Sequence, residues 1–155
     1  MTGRRHVAES DCERIHDGFI GQPANTISSL SFVAAAVPVW KRGGAWRWVA
    51  VALAFEGVGS VAYHGPGGRF SKFIHDIGIL GLLAAFAVVV RERPSVMRPR
   101  PKPAALAAAA ATLHVLSRTG GPLCSCDSRV QGHAIFHVLA AAAIVAAADG
   151  TVRAD

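Results

Sequence analysis

Apolar and polar positions follow one another along this chain in long blocks, not in short alternation. Five apolar segments stand out, at about 26–40, 46–63, 74–90, 103–117 and 132–148, with short polar or proline-rich stretches between them. Each is close to the lower limit of the ~20 residues that an α-helix needs to cross a hydrocarbon core. The expected fold is all-α: a polytopic transmembrane helical bundle of about five spans, forming a single membrane domain over residues 1–155. The polar N-terminal segment, 1–25, lacks the apolar core of a cleavable signal peptide, so the first span is expected to serve as targeting signal. Trp40, Trp46 and Trp48 gather at one segment boundary, as aromatic belts do. The fourth segment is mostly alanine and follows RPSVMRPRPKP. By itself it could cross a membrane or lie along its surface.

Composition agrees with a small multi-span protein: 52% of the 155 residues are hydrophobic and 17% are charged, with a mean hydropathy of +0.36. The net charge of +6 is divided into short clusters between apolar runs. That placement reads as a topology signal and not as a nucleic-acid patch. With five crossings, the basic loops 41–47 and 91–102 share the cytoplasmic side with the C-terminus. The N-terminus and the 64–73 and 118–131 loops then face outward. A multi-pass cell-membrane protein is expected, its partners the bilayer and a lipid drawn from it.

Polar residues inside the apolar segments narrow the chemistry. In QGHAIFH, His133 and His137 are four apart and share a helical face, the spacing by which one helix offers two imidazoles to a metal. The second segment ends in GVGSVAYH, again with a polar pair four apart, Ser60 and His64. The third begins FIHDIGIL, placing His75 and Asp76 at its outer end. These residues fall at one membrane level on three helices, provided that the fourth segment crosses. Three neutral imidazoles with an open position form a catalytic zinc arrangement, whose bound water ionises near pH 7. Asp76 is then the expected general base or proton shuttle, and Ser60 an oxyanion donor or a small residue for close helix approach. Glu56, one turn below Ser60, is expected in a supporting role, relaying protons or bonding to Asn25 or Ser28. Asn25 is expected to cap the first span beside the site. His6, His16 and His114 read as bystanders, His114 at an interface. Haem is a further reading of intramembrane histidines, but i,i+4 pairs suit it poorly.

These blocks resemble the CREST superfamily of membrane hydrolases, which includes the alkaline ceramidases and the adiponectin and progestin receptors. DCE at 11–13, PANTISS at 23–29, GVGSVAYH at 57–64 with HD at 75–76, and QGHAIFH at 131–137 carry the resemblance, in the family's order. It implies zinc on His64, His133 and His137, with Ser60 and Asp76 catalytic. It also implies hydrolysis of an amide or ester bond in a ceramide-like lipid, or alternatively a non-hydrolytic zinc-containing receptor or regulator. Asp76 lies twelve residues after His64, about one more than the ceramidase pattern, so His75 competes for the neighbouring role.

The chain departs from the family in having room for five spans where seven are usual, which trims the walls around a long lipid. The family's N-terminal calcium site would fall on Asp11 and Glu13, with Ile15 where an oxygen ligand is wanted, which implies a degraded site. The stretch SDCE reads equally well as a helix N-cap with a capping box. Cys12, Cys124 and Cys126 all lie in outer segments. The resemblance implies a tether of the N-terminal segment to a loop, favouring Cys12 with Cys124, although spacing alone does not fix the pairing.

Overall fold

The structure, a computed structural model, describes residues 6–152. Five α-helices carry it: α1 (Pro23–Trp40), α2 (Trp46–His64), α3 (Arg69–Glu92), α4 (Pro101–Leu116) and α5 (Gly132–Val152). No β-strand occurs among the described residues. All five predicted segments are helical. The largest boundary change is at α3, which starts at Arg69, five residues before the predicted 74, so His75 and Asp76 sit in its second turn.

Successive helices run in opposite directions. In space α1 packs on α2 and on α5, α3 on α2, and α4 on α5, so the row α3–α2–α1–α5–α4 curls about a cavity. Close crossings depend on glycine. A Cβ on Gly59 would lie 3.2 Å from the Cα and N of His75, so glycine there favours the close approach of α3, which carries His75, to α2. Val39, Val49, Leu53 and Val89 form a buried core with Ala141 and Ala148, and Phe32 joins that core to the cavity wall. Val96, in the 3-10 turn Pro94–Met97, joins that core beneath the gap between α3 and α5.

Three segments outside the α-helices meet at one end. The Val7 N–H donates to Gly67 O (3.1 Å), Gly21 to Gly65 O (2.9 Å), Thr119 to Ser10 O (3.0 Å) and Arg14 to Cys126 O (3.0 Å). A Cys12–Cys124 disulfide and the Arg14–Asp127 ion pair fasten the same junction, the Arg14 guanidinium holding the Asp127 carboxyl below its ordinary range. At the far end Arg42 pairs with Asp149, and Arg100 Nη2 donates to Ala147 O (2.9 Å). With His114 beside His133, these contacts fix α4 antiparallel to α5 along its length.

Two helices, α3 and the Gly132–Gly150 stretch of α5, are long and apolar enough to cross a membrane. Five spans were expected. The other three helices fall short because α4 has 16 residues, about 24 Å at ~1.5 Å per residue, and because α1 and α2 carry polar side chains. The SDCE stretch makes no α-helical cap either. Glu9–Asp11 is a 3-10 turn, and Cys12 after it has φ 66°.

Candidate metal centre

Each of the three histidines arrives at the centre by a local rule. His64 is the last residue of α2, and His133 and His137 are one turn apart on α5. The structure brings the three together, all buried, with one potential ligand nitrogen from each lying within 4.8 Å of the others. Ring centroids are 5.2 Å apart for His64–His133 and for His64–His137, and 4.6 Å for His133–His137.

Hydrogen bonds behind the rings set their orientation. His64 Nδ1 lies 2.7 Å from Gln22 Oε1, a carbonyl acceptor, so Nδ1 carries the proton and Nε2 the lone pair. His64 Nε2 is buried with no hydrogen-bond partner. An orphaned, buried ring nitrogen beside two other imidazoles is a misfit for a purely structural cluster and a fit for a metal. His137 Nδ1 is 2.9 Å from Ser28 Oγ. Because Ser28 Oγ donates to Asn25 O (3.0 Å), it accepts from the ring, which again leaves Nε2 for coordination. Three neutral imidazoles suit zinc, copper, iron or nickel.

With His64 fully buried beside them, His133 and His137 line a cavity of about 560 Å³. Its outer part is polar, with Ser10, Asp11, Lys72, His75, Asp76 and Arg118, and its inner part is lined by Phe32, Ile79, Leu82, Phe136, Ala140 and Ile144. Asp76 lines this cavity, about half exposed, and accepts a hydrogen bond from Lys72 Nζ at 2.6 Å. Its Oδ1 is 3.4 Å from His75 Nδ1, and His75 Nε2 is 3.3 Å from Glu56 Oε1. Glu56 therefore meets His75, not Asn25 or Ser28 as expected, because α3 crosses α2 at glycine and α1 turns its polar face toward His137. Tyr63 stacks on His75 with centroids 4.6 Å apart.

Ser60 is placed differently from the other candidates. It is fully buried and does not line the cavity. Ser29 Oγ donates to Asn25 O (2.7 Å), so the 2.8 Å contact between Ser60 and Ser29 directs the Ser60 hydrogen to Ser29.

The two calcium candidates face different elements. Glu13 receives the Ala24 and Asn25 N–H groups on its two oxygens (2.7 and 2.8 Å) and so caps α1, the task expected of Asn25. Asp11 points into the cavity, Oδ1 3.8 Å from His133 Nδ1. Burial raises its carboxyl above the ordinary value, while Arg118 and the Ser10 hydroxyl pull it down. The cysteines form a cluster apart from the histidines. With Cys12 and Cys124 joined, Cys126 is free and exposed, its Sγ 3.7 Å from each of the other sulfurs.

Gln22, Ser28 and His114 are the residues that the sequence reading undervalued. His114 lines the cavity, its ring 5.4 Å from that of His133. The signal available for α1 was the run Asn25, Thr26, Ser28, Ser29 in an otherwise apolar segment, since hydroxyls one turn apart mark a polar face. No protein-family model matches the chain, and neither a curated protein nor a solved structure matches it.

Proposed function

We propose that the chain is a zinc-dependent hydrolase of the membrane that cleaves an amide or ester bond in a lipid, a member of the CREST group it resembles. All five helices would cross the bilayer, with the centre on the non-cytoplasmic side. The observation that carries this reading is the buried His64–His133–His137 cluster, with orphaned His64 Nε2, two of whose rings line a cavity that has both polar and apolar walls. The membrane part rests on an inverted surface: Ile27, Leu30, Val51, Val58, Leu80 and Leu83 are exposed, while Gln22, Asn25, Ser60 and the three histidines are buried. Such a surface suits a lipid solvent.

When bound, zinc would supply a Lewis acid for a carbonyl oxygen and a water that ionises near neutral pH. The chain's own groups supply the rest. Gln22 and Ser28 hold two rings in the tautomer that presents Nε2. Phe32, Leu82, Phe136 and Ile144 take the hydrocarbon and exclude water. Asp76, a carboxylate beside Lys72, can take a proton from the attacking water and pass it to a departing amine, and His75 and Glu56 continue that line inward.

Purified protein assayed for zinc and for fatty-acid release from a panel of N-acyl and ester lipids tests this. About one zinc per chain is expected, mostly lost in His137→Ala, and Asp76→Asn should keep zinc and lose turnover. Full zinc retention in His137→Ala would remove the central claim. A specific observation favours the receptor-like alternative: Asp76 is tied to Lys72 and Ser60 is shut away from the cavity. Zinc-loaded wild type that cleaves none of the panel would overturn the hydrolase reading in favour of that alternative.

A further inference from the structure

Two of the candidate ligand rings are held from behind by neutral groups, His64 by Gln22 and His137 by Ser28. The third is not. His133 Nδ1 is buried without a hydrogen bond, and the carboxylate facing it is Asp11, 3.8 Å away and itself 4% exposed. A buried carboxylate and a buried, unsatisfied ring nitrogen side by side are each costly alone.

Asp11 is also held with unusual care for a residue outside any α-helix. It ends a 3-10 turn, and the next residue is Cys12, disulfide-bonded to Cys124 in the loop that leads into α5. The Cys12 N–H donates to Thr119 Oγ1 (3.1 Å), and Thr119 Oγ1 donates to Glu9 O (2.6 Å). The turn bearing Asp11 is thus clamped, on both sides, to the loop that delivers His133.

Resting on the zinc reading above, we propose that Asp11 is a positioning residue for the metal centre: its carboxylate takes the Nδ1–H of His133, turns Nε2 to the metal, and is kept there by the Cys12–Cys124 disulfide. The 3.8 Å gap exceeds a hydrogen bond, and one bridging water or a rotation of the Asp11 side chain closes it. A carboxylate partner makes the imidazole a more basic ligand and adds an anionic neighbour to a divalent ion. The N-terminal segment then belongs to the metal centre, although it contributes no ligand. The disulfide acts on metal affinity through one carboxylate.

Zinc affinity of the full chain in detergent, measured by competition with a chromophoric chelator, tests both halves. Asp11→Asn, nearly isosteric, should bind zinc about 10–100-fold more weakly than wild type, with unchanged helix content by circular dichroism. Asp11→Glu, which keeps the carboxylate, should recover part of that loss. Cys12→Ser should also weaken binding, and should add nothing further when combined with Asp11→Asn, since both changes remove one interaction. Wild-type affinity in Asp11→Asn overturns the proposal. Additive losses in the double variant overturn the role given to the disulfide. The zinc centre itself is read separately, because its failure shows as wild type without zinc or His137→Ala with it, and takes this proposal down too.

Discussion

At Ser60 the hydroxyl is flanked by another hydroxyl and not by open space. Its proton goes to Ser29, whose own proton goes to Asn25 O, and Ser28 beside them holds His137. These serines tie α2 to α1 behind the histidine cluster. Ser60→Ala should therefore cost about 1 kcal/mol of stability, the net worth of one buried hydrogen bond, and leave turnover within about threefold. A donor to a developing oxyanion would instead cost ~10²–10³ in rate, so rate and thermal midpoint of the one variant separate the two roles. The serine-to-histidine spacing that singles out Ser60 holds at the level of the helix, since Ser60 and His64 do share a face of α2. What spacing does not contain is which neighbour that face meets. The same gap explains Glu56 and His114. Their positions along a helix are legible, but the partner of Glu56 is set by a glycine crossing, and the burial of His114 by the antiparallel fit of α4 on α5. By contrast the histidine triad was legible because i,i+4 spacing and position at a helix end are both properties of the sequence.

Helix α1 begins at a proline and has no side-chain cap from its own N-cap residue, Gln22. The cap comes from Glu13, ten residues before the helix, one oxygen to each of two free N–H groups. A carboxylate there also opposes the helix dipole. Glu13→Ala should lower stability by about 1–2 kcal/mol, read as a shift in the thermal midpoint. Glu13→Gln, which keeps one acceptor, should fall between. If Glu13 were instead a calcium ligand, added calcium would raise the wild-type midpoint; none is expected, since both oxygens are engaged. A cap supplied from this distance is invisible to a local motif search, and SDCE was readable as a capping box only because a helix was imagined to follow it. The spans show a related limit. α1 and α2 are the helices that turn Asn25, Ser28, Ser29, Glu56, Ser60 and His64 toward the centre, and those residues are what keep both from passing as plain apolar spans.

For the whole molecule, the proposed five-span reading requires one end to face the cytoplasm, and two independent arguments bear on which. The first is charge: Lys41, Arg42 and Arg47, with Arg91, Arg93, Arg98, Arg100 and Lys102, crowd the two short connections at the end away from the histidines, as cytoplasmic loops do. The margin is narrow by count, because Arg14, Arg69, Lys72, Arg118 and Arg129 lie toward the histidine end. The second argument does not use counting. The Cys12–Cys124 disulfide joins the N-terminal segment to the 118–131 loop at the histidine end, and a disulfide persists on the oxidising side of a membrane. On the proposed membrane reading, both arguments favour the histidine cluster lying outside the cytoplasm. Cys126 supplies the test, since it is the one cysteine left as an exposed thiol on that end. A membrane-impermeant maleimide added to intact cells should label wild type and not Cys126→Ser. Labelling only after permeabilisation would reverse the orientation, put the disulfide in a reducing compartment, and leave Asp11 without its tether in the cell.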